Sequence, residues 1–167
     1  MKVLHFKTVP STNAIAKKYK KAPWTVILAD EQVSGYGKGK RFWHSPKGGL
    51  YFSIVLPKTK IEDLQILTIS SAFIVAKVLK ENFSFSPLIK LPNDVLINQR
   101  KVCGILVENV VSKDVKSSVI GIGLNTNIKS FPDNLKNKAT SLEIELKRKV
   151  PNKKILNQIV NNIRNQL

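Results

Sequence analysis

Two stretches of this 167-residue chain combine residue types that could do chemistry. In the first, Lys90-Leu91-Pro92-Asn93-Asp94 is followed, after Asn98-Gln99-Arg100, by Lys101-Val102-Cys103-Gly104-Ile105-Leu106-Val107-Glu108. If Asn98 and Gln99 form a two-residue turn, Leu96 faces Lys101 and Asp94 faces Cys103. Asp94 and Lys101 are then diagonal on one face, about 7–8 Å apart. That gap suits a bridging phosphate or metal, with Asp94 holding Mg²⁺ and Lys101 an anionic oxygen, the equipment of phosphoryl or nucleotidyl transfer. The same pair is also the ordinary makings of a surface salt bridge. In the second stretch, Gln32 to Trp43, Gly35, Gly37 and Gly39 alternate with Tyr36, Lys38 and Lys40, and Arg41 follows. Glycines let backbone approach an anion closely, and the cations supply countercharge. The spacing is not GxxxxGK[ST], and Pro46 with the strand beyond it excludes the helix that a dinucleotide loop needs. On spacing alone, a flexible basic surface loop is the commoner meaning.

These side chains need elements to hold them. Lys2 to Val9 alternates as a strand, and Pro10-Ser11-Thr12-Asn13 supplies caps for a helix to about Lys21. Thr25 to Ala29 reads as a second strand, Glu31 to Gly49 as a long loop, and Leu50 to Leu56 as a third strand. Leu64, Leu67, Ser71, Val75 and Val78 mark one face of a helix from about Ile61 to Lys80. Ile66, Ile69, Ala72, Phe73 and Ala76 widen its apolar stripe so far that the helix is expected to be largely buried. Between Leu88 and Asn125, breaks at Asn98-Gln99-Arg100 and Ser112-Lys113-Asp114 predict an antiparallel meander. Asn152 to about Asn165 predicts a last helix with Ile155, Ile159 and Ile163 on one side. The pattern is α+β: a mixed, mainly antiparallel sheet with few helices. Without repeats or a Pro-, Gly- or Ser-rich linker, residues 1–167 are expected to form a single domain.

Composition narrows the class. Hydrophobic residues make up 43% of the chain, enough for one sizeable core. No apolar run reaches the roughly 20 residues of a bilayer span, and the first residues lack a signal-peptide pattern, so no membrane association and a cytoplasmic location are expected. The sole cysteine, Cys103, excludes a disulfide framework or a cysteine-cluster metal site; His5 and His44 read as packing or surface residues. The 28 basic against 11 acidic residues give a net charge of +17, which would attract any polyanion. The cations divide evenly, 14 in residues 1–83 and 14 in residues 84–167, so they form a general coat and not a tail.

Read together, the motifs resemble the catalytic domain of biotin protein ligases. The resemblance is carried, in order and spacing, by Ser11-Thr12-Asn13, by Asp30-Glu31-Gln32 leading into the glycine-basic loop that ends at Trp43, and by Lys90-x-Pro92-Asn93-Asp94. It continues through Lys101-x-x-Gly104-Ile105-Leu106-x-Glu108 and Gly121-Ile122-Gly123-Leu124-Asn125. Phe131-Pro132 and Ala139-Thr140-Ser141-Leu142 extend it over roughly residues 3–142. Where the family's loop reads GRGRxGR, Tyr36 replaces the first arginine, Lys38 the second, and Lys40 a position that often holds glycine. Leu91 stands where the family usually has tryptophan. The DNA-binding helix-turn-helix and the small β-barrel found beside this domain in other members are not expected within these 167 residues.

The resemblance implies a fold like the class II aminoacyl-tRNA synthetase and biotin synthetase catalytic domains. It implies ATP-dependent activation of biotin to biotinyl-5′-AMP with Mg²⁺, then transfer of biotin to a specific lysine of a biotin carboxyl carrier protein, such as an acetyl-CoA carboxylase subunit. Lys101, Lys38, Asp94 and Lys90 would be catalytic, Asp94 binding Mg²⁺ directly or through water. Biotin would be surrounded by Ser11, Thr12, Gln32, Gly35, Tyr36, Lys101, Gly104, Leu106, Gly121 and Gly123. ATP would meet Lys38, Arg41, Trp43, Lys90, Asn93 and Asn125. The glycine-rich loop is expected to be mobile when empty and to close over the adenylate as a lid. No sequence-specific DNA binding is expected, and the choice between monomer and homodimer stays open. One rival is a lipoate or octanoyl protein ligase, which shares the fold but carries an RRxSGGG-type loop absent here. The other, a non-enzymatic basic module binding nucleic acid, rests on net charge alone, with only 7% aromatic residues for base stacking.

Overall fold

The computed structural model describes residues 2–19, 22–57, 64–112 and 115–166. Seven strands form one sheet: β1 (Lys2–Val9), β2 (Thr25–Gln32), β3 (Leu50–Val55), β4 (Leu88–Lys90), β5 (Asp94–Ile97), β6 (Arg100–Ser112) and β7 (Val115–Leu124). Their order is β1-β2-β3-β7-β6-β5-β4. Only β1 and β2 run parallel, and every other neighbouring pair is antiparallel. The mixed, mainly antiparallel sheet is therefore as the sequence predicts. Among the described residues four α-helices accompany it: α1 (Thr12–Ala16), α2 (Leu64–Phe83), α3 (Leu142–Leu146) and α4 (Asn152–Gln166).

The first helix is shorter than expected. It ends at Ala16 and tightens into a 3₁₀ turn, Lys17–Tyr19, and Ser11 occupies its N-cap position without a side-chain cap bond. Lys20 and Lys21, the expected start of the second helix at residues 61–63, and Lys113-Asp114 of the second predicted turn lie outside the described residues. Helix α3 has no strong periodic signature and is fixed locally. Ser141 Oγ accepts the Ile144 N–H and donates to the Ile128 carbonyl, and Lys147 ends the helix in the left-handed region.

The two faces of the sheet have different partners. Phe52, Ile105 and Ile122 project to one side and pack with α2 and α4, where Val75, Val78, Leu79, Ile155, Ile159 and Ile163 complete the main core. The predicted buried face of α2 is observed, but Ile66 and Phe73 are exposed, at 66% and 59%. A helix lying on one side of a sheet keeps a solvent side, so the wide apolar stripe does not bury the whole helix. On the opposite side, Ala16, Ile27, Val55 and Val119 form a small cluster with Leu4, Phe6 and Ile15 beneath α1.

That second face contains a trough, and strand register explains it. One cross-strand row reads Gly104, Gly123, Tyr51 and Ala29, and the next reads Leu106, Gly121, Ser53 and Ile27. Three glycines in the middle of two adjacent rows remove the side chains that would otherwise fill the space above β6 and β7. The sheet thus supplies the floor of a cleft.

Candidate active site

The two-residue turn at Asn98-Gln99 forms as predicted, with both residues at positive φ (49° and 63°), the twist that a tight hairpin requires. Leu96 pairs with Lys101 as expected. Beyond it the register shifts: Val95 pairs with Cys103 and Asp94 with Gly104, so Val102 is an extra residue in β6. This bulge corrects the sequence-based register of Asp94 against Cys103, and it settles a conflict of facing. Regular alternation would put Lys101 on the side of Cys103 and Ile105, opposite Gly104 and Leu106. With two consecutive residues, Val102 and Cys103, turned into the core, Lys101 shares the cleft face with Gly104.

The same bulge brings Lys101 Nζ to 2.6 Å from Asp94 Oδ1. The expected 7–8 Å separation is replaced by a direct ion pair, with the two side chains 30% and 22% exposed. The Lys101 backbone is clamped as well. Its N–H donates to the Lys138 carbonyl, and its carbonyl accepts the Thr140 N–H and, at 3.4 Å, the Asn125 carboxamide. Arg100 and Asn98 donate to Glu145, which holds the hairpin against α3.

The cleft has a cavity volume of about 160 Å³, below the roughly 300–1,000 Å³ usual for small-molecule sites. Most predicted site residues line it: Ser11, Thr12, Gln32, Tyr36, Lys38, Arg41, Trp43, Asn93, Asp94, Lys101, Gly104, Leu106, Gly121 and Gly123. Gly35 lies behind this wall, where a β-carbon would come within 2.6 Å of Ser45 Oγ and 2.8 Å of the Trp43 carbonyl. Lys90 is exposed on β4, paired in register with Asp94 and outside the lining. Asn125 is buried beside the cleft, its Nδ2 donating to the Thr140 carbonyl and its Oδ1 without a protein partner.

Trp43 covers the glycine floor. A β-carbon on Gly123 would collide with its indole, and one on Gly104 would stand 3.1 Å from it. Lys101 Nζ lies 4.9 Å from the Trp43 ring centroid, and Trp43 Nε1 is buried without a partner. The neighbouring His44 has its pKa lowered by burial.

The far end of the cleft is neutral and hydrogen-bonded. Gln32 Oε1 accepts from the Thr12 N–H (2.8 Å) and hydroxyl (3.1 Å), and its Nε2 donates to Ser45 Oγ, which donates to the Trp43 carbonyl. Beneath them Ser53 Oγ lies 2.8 Å from Thr12 Oγ1 and 2.6 Å from Asn13 Oδ1. Asn13 sits directly over Gly121, where any β-carbon would strike its carboxamide. The sequence reading assigned no role to Ser45 or Ser53. Their only signal is a short polar residue at an inward position, which strand alternation around Ser53 offers but does not single out.

Mg²⁺ retains most of its water and takes one or two carboxylates together with substrate phosphates. Asp94 is the one carboxylate lining the cleft among the described residues, and the Asn93 side chain lies next to it. No group of three His, Cys, Asp or Glu side chains stands together there. This donor set fits a magnesium ion carried by a nucleotide.

Residues 5–125 match the model of the Biotin/lipoate A/B protein ligase family. The chain is 38% identical over 141 residues to a bifunctional ligase/repressor BirA of Bacillus subtilis, covering 81% of this chain and 43% of that protein. It is 34% identical over 128 residues to a biotin–[acetyl-CoA-carboxylase] ligase of Paracoccus denitrificans, covering 69% of this chain and 50% of that one. The chain thus spans half or less of the length of these two relatives. A biotin protein ligase from Aquifex aeolicus, solved in complex with biotin and ATP, superposes with a TM-score of 0.89 at 32% identity, over 98% of this chain and 69% of that one.

Proposed function

Since the chain belongs to the Biotin/lipoate A/B protein ligase family, we propose that it activates biotin with ATP and transfers it to a lysine of a biotin carboxyl carrier protein. The observation that carries this reading is the polarity of the cleft. It runs from a neutral, hydrogen-bonding end at Thr12, Gln32, Ser45 and Ser53 to a charged end at Lys101, Asp94, Lys38 and Arg41. A cyclic urea carries N–H donors and a carbonyl acceptor that match the neutral end, and a carboxylate at the end of an alkyl chain reaches the cations. A dithiolane or an octanoyl tail would bring no hydrogen bonds to this polar end, so the same geometry favours biotin over lipoate or octanoate.

In the first step a biotin carboxylate oxygen bonds to the α-phosphorus of ATP and pyrophosphate leaves. In the second, a carrier lysine amine bonds to the carboxyl carbon, loses a proton and expels AMP. The difficulty in the first step is bringing two anions together, so fixed positive charge supplies most of the catalysis. Lys101 stands where carboxylate and α-phosphate would meet, held by the bulge, by Asp94 and by the Trp43 ring. Lys38 and Arg41 reach in from the loop, and Lys90 contributes charge from outside the lining. Asp94 and Asn93 would hold Mg²⁺ through water, and the ion would supply charge neutralisation on the phosphates. Trp43 Nε1 and Asn125 Oδ1, two buried atoms without protein partners, are suited to pair with the adenine end of the nucleotide.

Among the described residues no helix is long and apolar enough to cross a membrane. The test is biotin-dependent exchange of labelled pyrophosphate into ATP. Exchange with biotin and none with lipoate or octanoate is expected; exchange driven by lipoate instead would overturn the assignment.

A further inference from the structure

We propose that Lys17, Tyr36 and Glu108 form a latch that holds the glycine-rich loop closed before ligand arrives, and that Tyr36 and Lys17 are thereby positioning residues for adenylation. The catalytic half of this inference rests on the reading above. The latch itself does not.

Three segments converge on one carboxylate. Glu108, on β6, receives Lys17 Nζ at 2.7 Å on Oε1, and the Tyr36 hydroxyl at 3.0 Å and Asn13 Nδ2 at 2.8 Å on Oε2. Lys17 comes from the 3₁₀ turn after α1 and Tyr36 from the loop. Lys17 Nζ is also 3.4 Å from the Tyr36 hydroxyl and 5.9 Å from its ring centroid. The side chains of Lys17 and Glu108 are 32% and 23% exposed, so the cluster is shielded from solvent more than an ordinary surface pair.

The loop transmits this anchor. Tyr36 bridges Phe42 in antiparallel pairing, the Trp43 N–H donates to the Gly35 carbonyl, and the Gly37 N–H donates to the Arg41 carbonyl. With Tyr36 fixed on one stem and Trp43 packed over the glycine floor on the other, only the turn carrying Lys38, Gly39 and Lys40 is left to order. Each residue ordered in advance is one the ligand need not order. In this proposal the stems are tied before ligand arrives, where the sequence predicts a loop mobile when empty, and the protease comparison below decides between the two. Tyr36 also suits a chain with lysine at 17. The arginine of the family's loop pattern would set a second cation beside Lys17, whereas a neutral hydroxyl shares Glu108 with it. Asn13 carries the link further, to Ser53 and the Thr12 end of the cleft.

The experiment compares the parent with Tyr36→Phe, Lys17→Met and Lys17→Arg. Brief trypsin treatment without ligand reads cleavage after Lys38, Lys40 and Arg41. Tyr36→Phe and Lys17→Met should be cut in the loop about tenfold faster than the parent, the scale of losing one hydrogen bond to a charged group, and Lys17→Arg should restore protection. In pyrophosphate exchange, KM for biotin should rise by a similar factor in Lys17→Met, whose side chain does not line the cleft, because the ligand now has to close the loop itself. Loop cleavage in Tyr36→Phe at the parent rate would overturn the latch. So would cleavage that begins elsewhere in the chain together with a lowered melting temperature, which would make Tyr36 a general stability residue. A parent that shows no exchange with biotin would sink the functional reading, while the protease comparison, which uses no substrate, would still decide the latch.

Discussion

At the Thr12 end of the cleft, polar groups satisfy one another in a closed chain through Gln32, Ser45, Ser53 and Asn13. At the Lys101 end, one ion pair, one ring contact and two buried atoms without protein partners, Trp43 Nε1 and Asn125 Oδ1, leave bonding capacity unspent. The first end is shaped before a ligand binds and selects by geometry. The second leaves its bonding capacity for charge that a ligand brings, which on the proposed function is where two anions would meet.

The comparison breaks most clearly at Lys101. Lys101→Ala should slow adenylate formation by about 10²–10³, the magnitude of removing a principal electrostatic stabiliser, while biotin binding measured without ATP weakens far less. An adenylation rate equal to the parent's would show that the charged end is placed wrongly. Gly123→Ala should come next. Its methyl meets the Trp43 indole, and overpacking of this kind costs about 1–3 kcal/mol, so a lower melting temperature and a higher KM for ATP are expected together. A variant with both unchanged would mean that Trp43 is free to move and is no roof.

A smaller effect is expected at the neutral end. Ser53→Ala removes the hydroxyl beneath Thr12 and Asn13 and should weaken biotin binding by about 1 kcal/mol, without changing the adenylation rate at saturating biotin. A fall in that rate would mean that the two ends are not separable. The smallest effect concerns pH. Burial opposes the charge on Lys17, but its bond to Glu108 outweighs this and raises its pKa above 10.5; burial and the same carboxylate raise Tyr36 above its ordinary value. A cation whose folded pKa is raised stabilises fully below the unfolded pKa and is lost as pH rises through the folded one. Loop protection from hydrogen exchange, corrected for intrinsic rate, should therefore stay level from pH 7 to 10 and fall only above about 10.5. A decline already at pH 8 would contradict this.

Which parts were legible in the sequence follows from what each depends on. The hairpin turn at Asn98-Gln99, the buried face of α2 and the alternation in β1 depend on neighbours close in sequence, and all were readable. Most of the cleft lining was legible through the resemblance to biotin protein ligases, since the spacing of its glycines and cations alone fits a basic surface loop as readily. Ser53 and Ser45 could not be found, since a serine's role depends on what faces it across strands. The partnership of Lys17 with Glu108 joins residues 91 apart in sequence, and no periodicity announces it. The bulge was missed for a related reason. Val102 and Cys103 are both ordinary core residues, and only a count against β5 shows that there is one too many.

That extra residue makes the orientation of Lys101 a matter of parity. Substitutions along β6 leave the count intact, so a scan by single replacements would report Val102 as a mere packing position. Deleting it would restore strict alternation with Lys101 still on the cleft face, whereas straightening the bulge with Val102 kept would turn Lys101 to the side of Cys103 and Ile105, with every residue of the proposed site still spelled in the sequence. Related chains that differ by one residue between the Asp94 and Gly104 positions should therefore be compared by length before they are compared by letters.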